Sequence, residues 1–281
     1  MKLYLKTDFL ELEEPVVMGI LNVTPDSFSD GGDFFKNSAA LKQAAQMVKA
    51  GAQIIDVGGE STRPGAQRVS ADQEIDRVLP VIEAIKDEFE VLVSVDTYKE
   101  RVARVAVLEG GADIINDISA LSFSEHMAET VAQLDVPVIL MHIKGTPENM
   151  QSDPSYVDVV AELKQYFHNR IDYAYSRGIK MEKIIIDPGI GFGKRVEDNI
   201  EIVKRLRAFK EFELPIMIGV SRKSFLGKLA GVEDPKEREI ETITADLISI
   251  MNGANIIRVH DVGNAVKSIK IMKKLVDFPV S

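Results

Sequence analysis

The feature that most constrains the fold of this chain is an eightfold alternation of short β-branched runs with longer segments of helical periodicity. The predicted strands cover residues 16–21, 53–57, 91–95, 113–118, 138–141, 183–186, 216–220 and 255–259. The predicted helices cover residues 38–49, 71–88, 98–108, 124–134, 156–176, 197–212, 237–252 and 262–275. The strands are apolar on both faces, which is typical of a parallel sheet buried on both sides. Eight βα units therefore favour an α/β fold, a single (βα)8 TIM barrel spanning residues 1–281.

An open, doubly wound sheet is the structural alternative. That fold carries a Gly-x-Gly-x-x-Gly motif after its first strand, and no such motif follows residues 16–21. A repeated Gly-Ala-x-Ile-Ile motif begins at Gly51, Gly111 and Gly253, each time where a helix would end before a strand. No linker rich in glycine, proline and serine interrupts this series, so the sequence predicts one domain.

The composition narrows the classes of function. Cysteine is absent, which excludes disulfides, zinc–thiolate sites and thiol nucleophiles, and the four histidines lack the spacing of a metal site. A formal net charge of −10 argues against non-specific binding to nucleic acid. No apolar run approaches the roughly 20 residues that span a bilayer, and no export signal is recognisable. We therefore expect a cytoplasmic protein that acts on small molecules, with neither nucleic acid nor membrane as a partner.

Polar side chains follow nearly every predicted strand at its carboxyl end, where TIM-barrel enzymes carry their chemistry. They are Asn22, Asp56, Asp96, Asn116, His142, Asp187, Ser221, Arg222, Lys223, Arg258 and His260. Each Asp or Asn could instead cap the helix that follows it. Because all of these side chains would meet at one barrel mouth, we interpret them together as an active site.

The last strand predicts an anion site. Arg258 and His260 are two residues apart, so both side chains point into the barrel. A buried guanidinium beside an imidazole requires an anion, and phosphate is the usual ligand after strands seven and eight. Lys223 adds a further cation just beyond strand seven. The alternative is an ion pair between Arg258 and either Asp261 or Asp56.

Two carboxylates and an amide form the opposite pole of the predicted site. Asp96, Asn116 and Asp187 would suit a flat heterocycle with adjacent N–H donors, because a carboxylate accepts two parallel hydrogen bonds. General acid–base catalysis on a sugar or a keto acid is the alternative use of the same carboxylates.

Two loops rich in glycine, proline and small hydroxyl residues follow the first two predicted strands. They cover residues 22–32 and 58–65, and both would lie over the barrel mouth. We predict that they are mobile lids that bring Thr62 and Arg63 to a charged substrate. Phe28 is an apolar residue within the otherwise polar first lid.

In order along the chain, these segments resemble dihydropteroate synthase. The matching motifs are Asn22-Val-Thr-Pro-Asp-Ser-Phe-Ser-Asp-Gly-Gly, Asp56-Val-Gly-Gly-Glu-Ser-Thr-Arg-Pro-Gly, Ser94-Val-Asp-Thr, Asn116-Asp, Asp187-Pro-Gly-Ile-Gly-Phe-Gly-Lys, Ser221-Arg-Lys-Ser and Arg258-Val-His-Asp. The resemblance runs from Val16 to Lys267. It implies condensation of 6-hydroxymethyl-7,8-dihydropterin pyrophosphate with p-aminobenzoate, which forms 7,8-dihydropteroate and releases pyrophosphate. It also implies Mg2+ and a homodimer.

The resemblance further implies a role for individual residues. The pterin would be held by Asp96, Asn116, Asp187 and Lys223. Mg2+ would bind Asn22 and bridge to the pyrophosphate, and the rest of the anion site would be Thr62, Arg63, Arg258 and His260. The p-aminobenzoate pocket would be shaped by Phe28, Pro64, Phe192 and Ser224. The residues expected to be catalytic are Lys223, Asp96, Arg63 and Arg258.

General chemistry is compatible with these roles. A pyrophosphate on a methylene group attached to an electron-rich ring can depart before attack, leaving a cation delocalised over the pterin. Arg63, Arg258 and His260, with Mg2+, would stabilise the departing charge, while Asp96 and Asp187 would stabilise the ring. An arylamine is uncharged near neutral pH and needs no strong base, so catalysis would be mainly positioning and electrostatics.

Two other functions share the pterin-binding residues. One is a barrel that transfers a methyl group from a reduced folate to a corrinoid protein, and the other is a catalytically silent, pterin-binding relative. The first would not need a pyrophosphate site, and the second would have lost a lid or a cation. Arg63, Arg258 and His260 therefore favour the synthase. The chain departs from the family at Glu241, where many members carry glycine or another small residue.

Overall fold

The computed structural model describes residues 1–24, 33–62, 65–66 and 68–276, without the side chains of residues 33–37. Its strands are β1 (Lys2–Tyr4), β2 (Phe9–Glu11), β3 (Val16–Asn22), β4 (Ile54–Gly58), β5 (Leu92–Asp96), β6 (Ile114–Asp117), β7 (Val138–Met141), β8 (Ile184–Asp187), β9 (Met217–Ile218) and β10 (Ile256–Val259). Its α-helices are α1 (Asp33–Ala50), α2 (Ala71–Glu88), α3 (Glu100–Leu108), α4 (Met127–Leu134), α5 (Val159–Ser176), α6 (Val196–Lys204), α7 (Ser224–Ala230), α8 (Glu239–Met251) and α9 (Val262–Leu275).

Eight parallel strands form a nearly closed barrel, which confirms the predicted fold. They are bonded in the order β8-β7-β6-β5-β4-β3-β10-β9. The circle is completed between β8 and β9, where the described residues contain a single bridge, Ile186 with Ile216. Because all strands run in one direction, their carboxyl ends and the loops that follow lie at one mouth.

Two hydrophobic layers hold the barrel together. The larger layer fills the space between the outer faces of the strands and the helices. The smaller one fills the interior at the amino ends of the strands and includes Val16, Met18, Ile54, Ile114 and Ile256. Burial of such side chains contributes roughly 25 cal/mol for each Å² of apolar surface. The lower half of the interior is thus packed with hydrocarbon, which leaves the upper half for the polar side chains.

The amino-terminal hairpin is an element that the sequence analysis did not predict. Strands β1 and β2 pair in antiparallel fashion, and Leu3 of β1 is completely buried in the smaller hydrophobic layer. Leu12, which follows the hairpin, packs in the same layer. The hairpin therefore covers the end of the barrel opposite the mouth.

Other differences from the prediction are local. The predicted helix over residues 197–212 is α6 followed by a 3₁₀ segment, Leu206–Phe212. The seven-residue helix α7 lies in a stretch for which the sequence analysis predicted neither a helix nor a strand. Helices α2, α5 and α9 begin after Ser70, Asp158 and Asp261, whose side chains accept hydrogen bonds from the first turn. No helix in the described parts of the chain is long and apolar enough to cross a bilayer.

Candidate active site

The period of two along a strand decides which side chains enter the barrel. Above the hydrocarbon layer the inward positions change to polar residues, because Asp56 follows Ile54 on β4, Ser94 follows Leu92 on β5 and Asn116 follows Ile114 on β6. Asp56 pairs with Ser94, and Asp96 pairs with Asn116, in the register of the sheet. The predicted polar residues at these strand ends therefore come together at the mouth.

Arg258 connects the two predicted poles of the site. Its Nε donates to Asp56 Oδ2 at 2.6 Å and its Nη2 donates to Asp96 Oδ2 at 2.8 Å. The ion pair with Asp56, which the sequence analysis left open as an alternative, is therefore present in the structure. Asp261 has a different role, because its side chain caps α9. The guanidinium thus lies between the two acids and links the proposed anion site to the carboxylates.

Three buried acceptors of this cluster at the mouth have no hydrogen-bond partner among the residues that the structure describes. They are Asp56 Oδ1, Ser94 Oγ and Asn116 Oδ1, although Asn116 Nδ2 donates to Asp56 Oδ2 at 3.1 Å. Buried polar atoms in native proteins are almost always hydrogen-bonded. These atoms therefore suit a ligand that carries several hydrogen-bond donors.

Burial changes the acid–base chemistry of this cluster. Burial raises the pKa of Asp96 to about 7, although the charge of Arg258 opposes the change. Burial also raises the pKa of Asp187, against a hydrogen bond from the Gly189 amide. The pKa of Lys223 is lowered to about 8 by burial and by the charge of Arg258. Strongly changed pKa values of this kind concentrate at functional sites.

The loop after β8 brings Phe192 to Lys223. Asp187 Oδ1 accepts from the Gly189 amide at 2.8 Å, which starts the turn. Further along it, the Phe192 ring lies with its centroid 4.1 Å from Lys223 Nζ, a cation–π contact. A Cβ added to Gly191 would come within 3.2 Å of Lys223 Cδ, so the lysine packs directly on the turn.

The remaining described members of the predicted anion site lie near the same mouth. Ser221 Oγ and His260 Nδ1 are 2.9 Å apart, and the His260 amide donates to the same oxygen at 3.2 Å. This contact joins the chain beyond β9 to the end of β10. Thr62 is half-buried in the second loop, and Ser224 is exposed as the first residue of α7.

Three predicted site residues, Phe28, Arg63 and Pro64, lie outside the described residues, as do residues 25–32 of the first loop. The base of the second loop is described. There the Glu60 carboxylate accepts from Tyr98 Oη at 2.6 Å, from Lys99 Nζ at 2.6 Å and from the Val69 amide at 3.0 Å. Glu60 thus joins the beginning of the loop to its end, a role that its position in the motif did not indicate.

His142 takes a place that differs from that of the other strand-end residues. Its buried ring lies edge-on to Tyr166 of α5, and its Nδ1 is 2.9 Å from the ammonium nitrogen of Lys194. Burial, with the charge of Lys194, lowers the pKa of His142 well below its ordinary value, so the ring is neutral. Sequence reasoning missed Lys194, because lysine is rarely buried and only its place after the glycines set it apart.

Comparisons with known proteins identify one family to which this chain is similar. The model of the family described as "Pterin binding enzyme" matches residues 18–260. The dihydropteroate synthase of Escherichia coli K12 is 48% identical over 273 residues, which cover 97% of this chain and 96% of that protein. The Yersinia pestis dihydropteroate synthase, solved with a sulfonamide drug, is 44% identical with a TM-score of 0.92, covering 98% of this chain and 99% of that one.

Two solved structures of the Xanthomonas albilineans dihydropteroate synthase are also similar. The complex with 4-aminobenzoic acid has a TM-score of 0.90 and 41% identity, and the match covers 96% of each chain. The complex with 7,8-dihydropteroate has a TM-score of 0.85 and 36% identity, again over 96% of each chain.

Proposed function

The chain belongs to the dihydropteroate synthase family of folate-biosynthesis enzymes, and from this membership we propose how its residues carry out the reaction. The enzyme transfers the pterinylmethyl group of 6-hydroxymethyl-7,8-dihydropterin pyrophosphate to the amine of p-aminobenzoate. The products are 7,8-dihydropteroate and pyrophosphate. The observation that carries the residue roles is the cluster in which Arg258 bridges Asp56 and Asp96 beside Lys223.

We propose that Asp96, Asn116, Asp187 and Lys223 bind the pterin ring. A pterin edge presents adjacent N–H groups, and a carboxylate accepts two such bonds in parallel. The unpartnered Asn116 Oδ1 supports this assignment, because it is a buried acceptor that requires a donor. The ring would bind where the interior of the barrel changes from hydrocarbon to polar groups.

We propose that Arg258, His260, Thr62 and Arg63 bind the pyrophosphate. The charge of Arg258 is already shared between two carboxylates. These bonds use two of the five N–H donors of the guanidinium, so the others can still bind a phosphate. The positive charge of Arg258 alone is therefore insufficient for a polyanion. Additional cations, Arg63 and Mg2+, would supply the charge that the described residues lack.

Mg2+ fits the residues at this mouth. Mg2+ usually keeps several waters and binds through few protein oxygens, most often carboxylates, together with substrate phosphates. A Cβ added to Gly58 would lie 3.6 Å from Asn22 Oδ1 and 3.7 Å from Asp96 Oδ2, so the two oxygens flank a space that the missing side chain leaves open. We propose that Asn22 holds the ion there, where Mg2+ would neutralise charge on the leaving pyrophosphate.

The chemical step depends on charge placed around the reacting methylene carbon. As the C–O bond to pyrophosphate breaks, negative charge moves toward Arg258, His260 and Arg63. The positive charge left on the pterin is stabilised by the carboxylates of Asp96 and Asp187. The amine of p-aminobenzoate then attacks the methylene carbon to form the C–N bond, and its proton is released to solvent. Lys223, Asp96, Arg63 and Arg258 are the residues proposed as catalytic.

The p-aminobenzoate pocket is proposed to lie between the turn after β8 and the two loops over the mouth. Phe192 and Ser224 are its described members, and Phe28 and Pro64 are its members in the loops. Phe192 offers a flat apolar wall, and its contact with Lys223 places that wall next to the pterin site. The amine would thereby be held near the carbon that it attacks.

We also propose that the enzyme is a cytoplasmic homodimer. Exposed apolar side chains form a stripe on α8, comprising Ile240, Ile248 and Met251, and Leu229 of α7 is exposed as well. An exposed apolar stripe of this kind suits a twofold interface. Glu241, where the chain departs from its family, lies on the same helix. The cysteine-free composition is compatible with the proposed compartment.

The proposed function is tested by measuring pyrophosphate release from the pterin pyrophosphate, with and without p-aminobenzoate and Mg2+. We expect release that requires Mg2+ and is accompanied by an equal amount of 7,8-dihydropteroate. Tight pterin binding without release would contradict the proposal and indicate the catalytically silent relative. Methyl transfer from a reduced folate in place of pteroate formation would indicate the methyltransferase.

A further inference from the structure

We refer to the turn after β8, residues 188–193, as the glycine turn. Side chains that do not belong to the turn, and that the proposed function does not use, donate hydrogen bonds to it. Four of its backbone carbonyls accept hydrogen bonds from side chains: Gly189 (2.9 Å) and Phe192 (3.1 Å) from Lys194, Gly191 (2.9 Å) from Gln151, and Gly193 (2.8 Å) from Tyr156. Lys194 is the only one of these donors that bonds to two of the carbonyls.

Lys194 is buried, with 4% of its surface exposed. Its Nζ donates to Gly189 O, to Phe192 O and, at 2.9 Å, to His142 Nδ1, and it makes a longer contact of 3.4 Å with His142 O. Each of its three N–H donors therefore has an acceptor. None of the described carboxylates forms an ion pair with it. A buried ammonium whose direct acceptors are all neutral is costly unless each of its donors is bonded.

The contact with Lys194 also determines the charge and the tautomer of His142. Burial is the main cause that lowers the pKa of Lys194 to about 7. His142 is neutral, and because its Nδ1 accepts from Lys194, the ring proton lies on Nε2. Below about pH 7, the ammonium of Lys194 and the imidazole of His142 are matched as donor and acceptor in a largely buried space.

The glycine turn can pack this closely because two of its positions, Gly189 and Gly193, carry no side chain. Gly189 has a φ of +69°, and a Cβ there would lie 2.0 Å from His142 O. Gly193 has a φ of +64°, and a Cβ there would lie 2.6 Å from Lys144 O. The turn therefore folds tightly around the ammonium group of Lys194 and against residues 142–144.

The same turn carries two groups of the proposed active site. Phe192 is held through its carbonyl by Lys194, while its ring lies on Lys223. The Gly189 amide bonds to Asp187, and the Gly189 carbonyl bonds to Lys194. A change at Lys194 would therefore be transmitted to the aromatic wall through bonds of the backbone.

We propose that Lys194 is a positioning residue for the arylamine site. Its buried ammonium holds the glycine turn in the conformation that keeps Phe192 against Lys223 and so forms the wall of the p-aminobenzoate pocket. The inference rests on the proposed function, because it assigns Phe192 to that pocket. Lys194 itself touches neither substrate.

The first test compares Lys194→Met with Lys183→Met in the full-length protein. Lys183 is the matched control, because it is a lysine as deeply buried as Lys194. It lies just before β8, at the end of the barrel opposite the mouth, and forms an ion pair with Asp135. We expect both variants to lower the thermal midpoint. We expect Lys194→Met alone to raise KM for p-aminobenzoate by about tenfold or more, with a much smaller change in KM for the pterin pyrophosphate.

The second test is a double-mutant cycle between Lys194→Met and Phe192→Ala. If Lys194 acts through Phe192, the two effects on kcat/KM for p-aminobenzoate will not multiply in the double variant. Tyr156→Phe provides a milder variant that removes only the hydroxyl bonded to Gly193 O. We expect it to raise KM for p-aminobenzoate by a smaller factor, and it keeps the test informative if Lys194→Met does not fold.

The outcomes separate this inference from the proposed function. A wild-type enzyme that forms no dihydropteroate would overturn the proposed function. An active wild type, with unchanged KM for p-aminobenzoate in folded Lys194→Met and Tyr156→Phe, would overturn the inference alone. Effects of Lys194→Met and Phe192→Ala that multiply would also overturn it, because independent sites give multiplying effects.

Discussion

Arg258 is the residue on which the charge balance of the mouth depends. Its guanidinium lies between the completely buried Asp56 and the partly buried Asp96, and it bonds to both. A buried pair need not add stability relative to an apolar pair, but removal of one partner leaves an uncompensated charge in the interior. Arg258 is therefore needed for the fold as well as for the proposed binding of pyrophosphate.

We expect Arg258→Met to lower the free energy of unfolding by roughly 3 kcal/mol, toward the low end for a buried pair because a fifth of the Arg258 side chain is exposed. Asp56→Asn combined with Arg258→Met should regain part of this loss, because it removes one of the two carboxylates that lose their cation. Urea unfolding measures both. Arg205→Met is the control, since its pair with Asp158 is exposed and should contribute less than about 1 kcal/mol. A double variant no more stable than Arg258→Met would contradict this account.

The pKa values of Asp96 and Lys223 predict a narrow pH optimum. Asp96, with a raised pKa of about 7, is ionised only above that pH, and Lys223, with a lowered pKa of about 8, is charged only below that pH. If both charges are needed, kcat/KM for the pterin pyrophosphate is greatest between these values and falls on either side. Lys223→Arg should remove the alkaline limb, because arginine stays charged. An alkaline limb that persists in this variant would assign it to another group.

At the scale of elements, α8 combines an exposed apolar stripe with a buried acid. Asp246 faces the interior, and neither of its carboxylate oxygens has a partner among the described residues. Burial, and then the charge of Glu239 on the same helix, raise the pKa of Asp246 well above its ordinary value. The acid is therefore protonated in the fold over a range of pH in which the unfolded chain would ionise it.

We expect Asp246→Asn to stabilise the protein increasingly as the pH rises. Well below the ordinary aspartate pKa of about 3.9, the acid is protonated in both states and the variant should resemble the wild type. Above that pKa, the unfolded wild type releases the proton and gains about 1.4 kcal/mol per pH unit while the folded acid stays protonated. Denaturant unfolding at pH 4, 6 and 8 measures the difference. A gain that does not depend on pH would show that Asp246 is ionised in the fold.

The sequence predicted the elements whose length and pattern are strong. Strands β3 to β8 and β10 lie within about two residues of their predicted bounds, because each is a continuous buried run. The hairpin of β1 and β2 was missed because three-residue strands offer too few positions for a pattern. Helix α7 was missed for the same reason, since its seven residues make only two turns.

The sequence predicted which residues line the candidate site better than it predicted which of them contact one another. Alternation along a strand places Asp96 and Arg258 at one mouth, but no periodicity shows that they bond across the barrel. Lys194 illustrates the other limit. Its burial depends on two carbonyls of the glycine turn and on His142, which only the fold brings together, and the sequence presents it as one more charged residue.

At the scale of the whole molecule, the stripe on α8 predicts the state of assembly. We expect the protein to be a dimer in sedimentation, and Ile248→Lys to shift it toward the monomer, because a charge in the stripe would be desolvated on association. Leu108→Lys is the matched control, since Leu108 is a similarly exposed apolar residue on α3, across the barrel. A wild type that sediments as a monomer, or equal effects of the two variants, would contradict the proposed interface.

The weakest contact between neighbouring strands of the barrel is the seam between β8 and β9, where the pterin is proposed to bind. Strand β9 has two residues, and one bridge joins Ile216 to β8, whereas other neighbours share ladders of up to five pairs. Asp187 lies at the end of one of these strands, and Lys223 lies just beyond the other. A pterin bonded to both side chains would link the two strands across this seam. Elsewhere in the barrel, ladders of backbone hydrogen bonds supply that link. In the free protein, the amides on either side of the seam should therefore be the first of the barrel to exchange with solvent, and the pterin should slow that exchange.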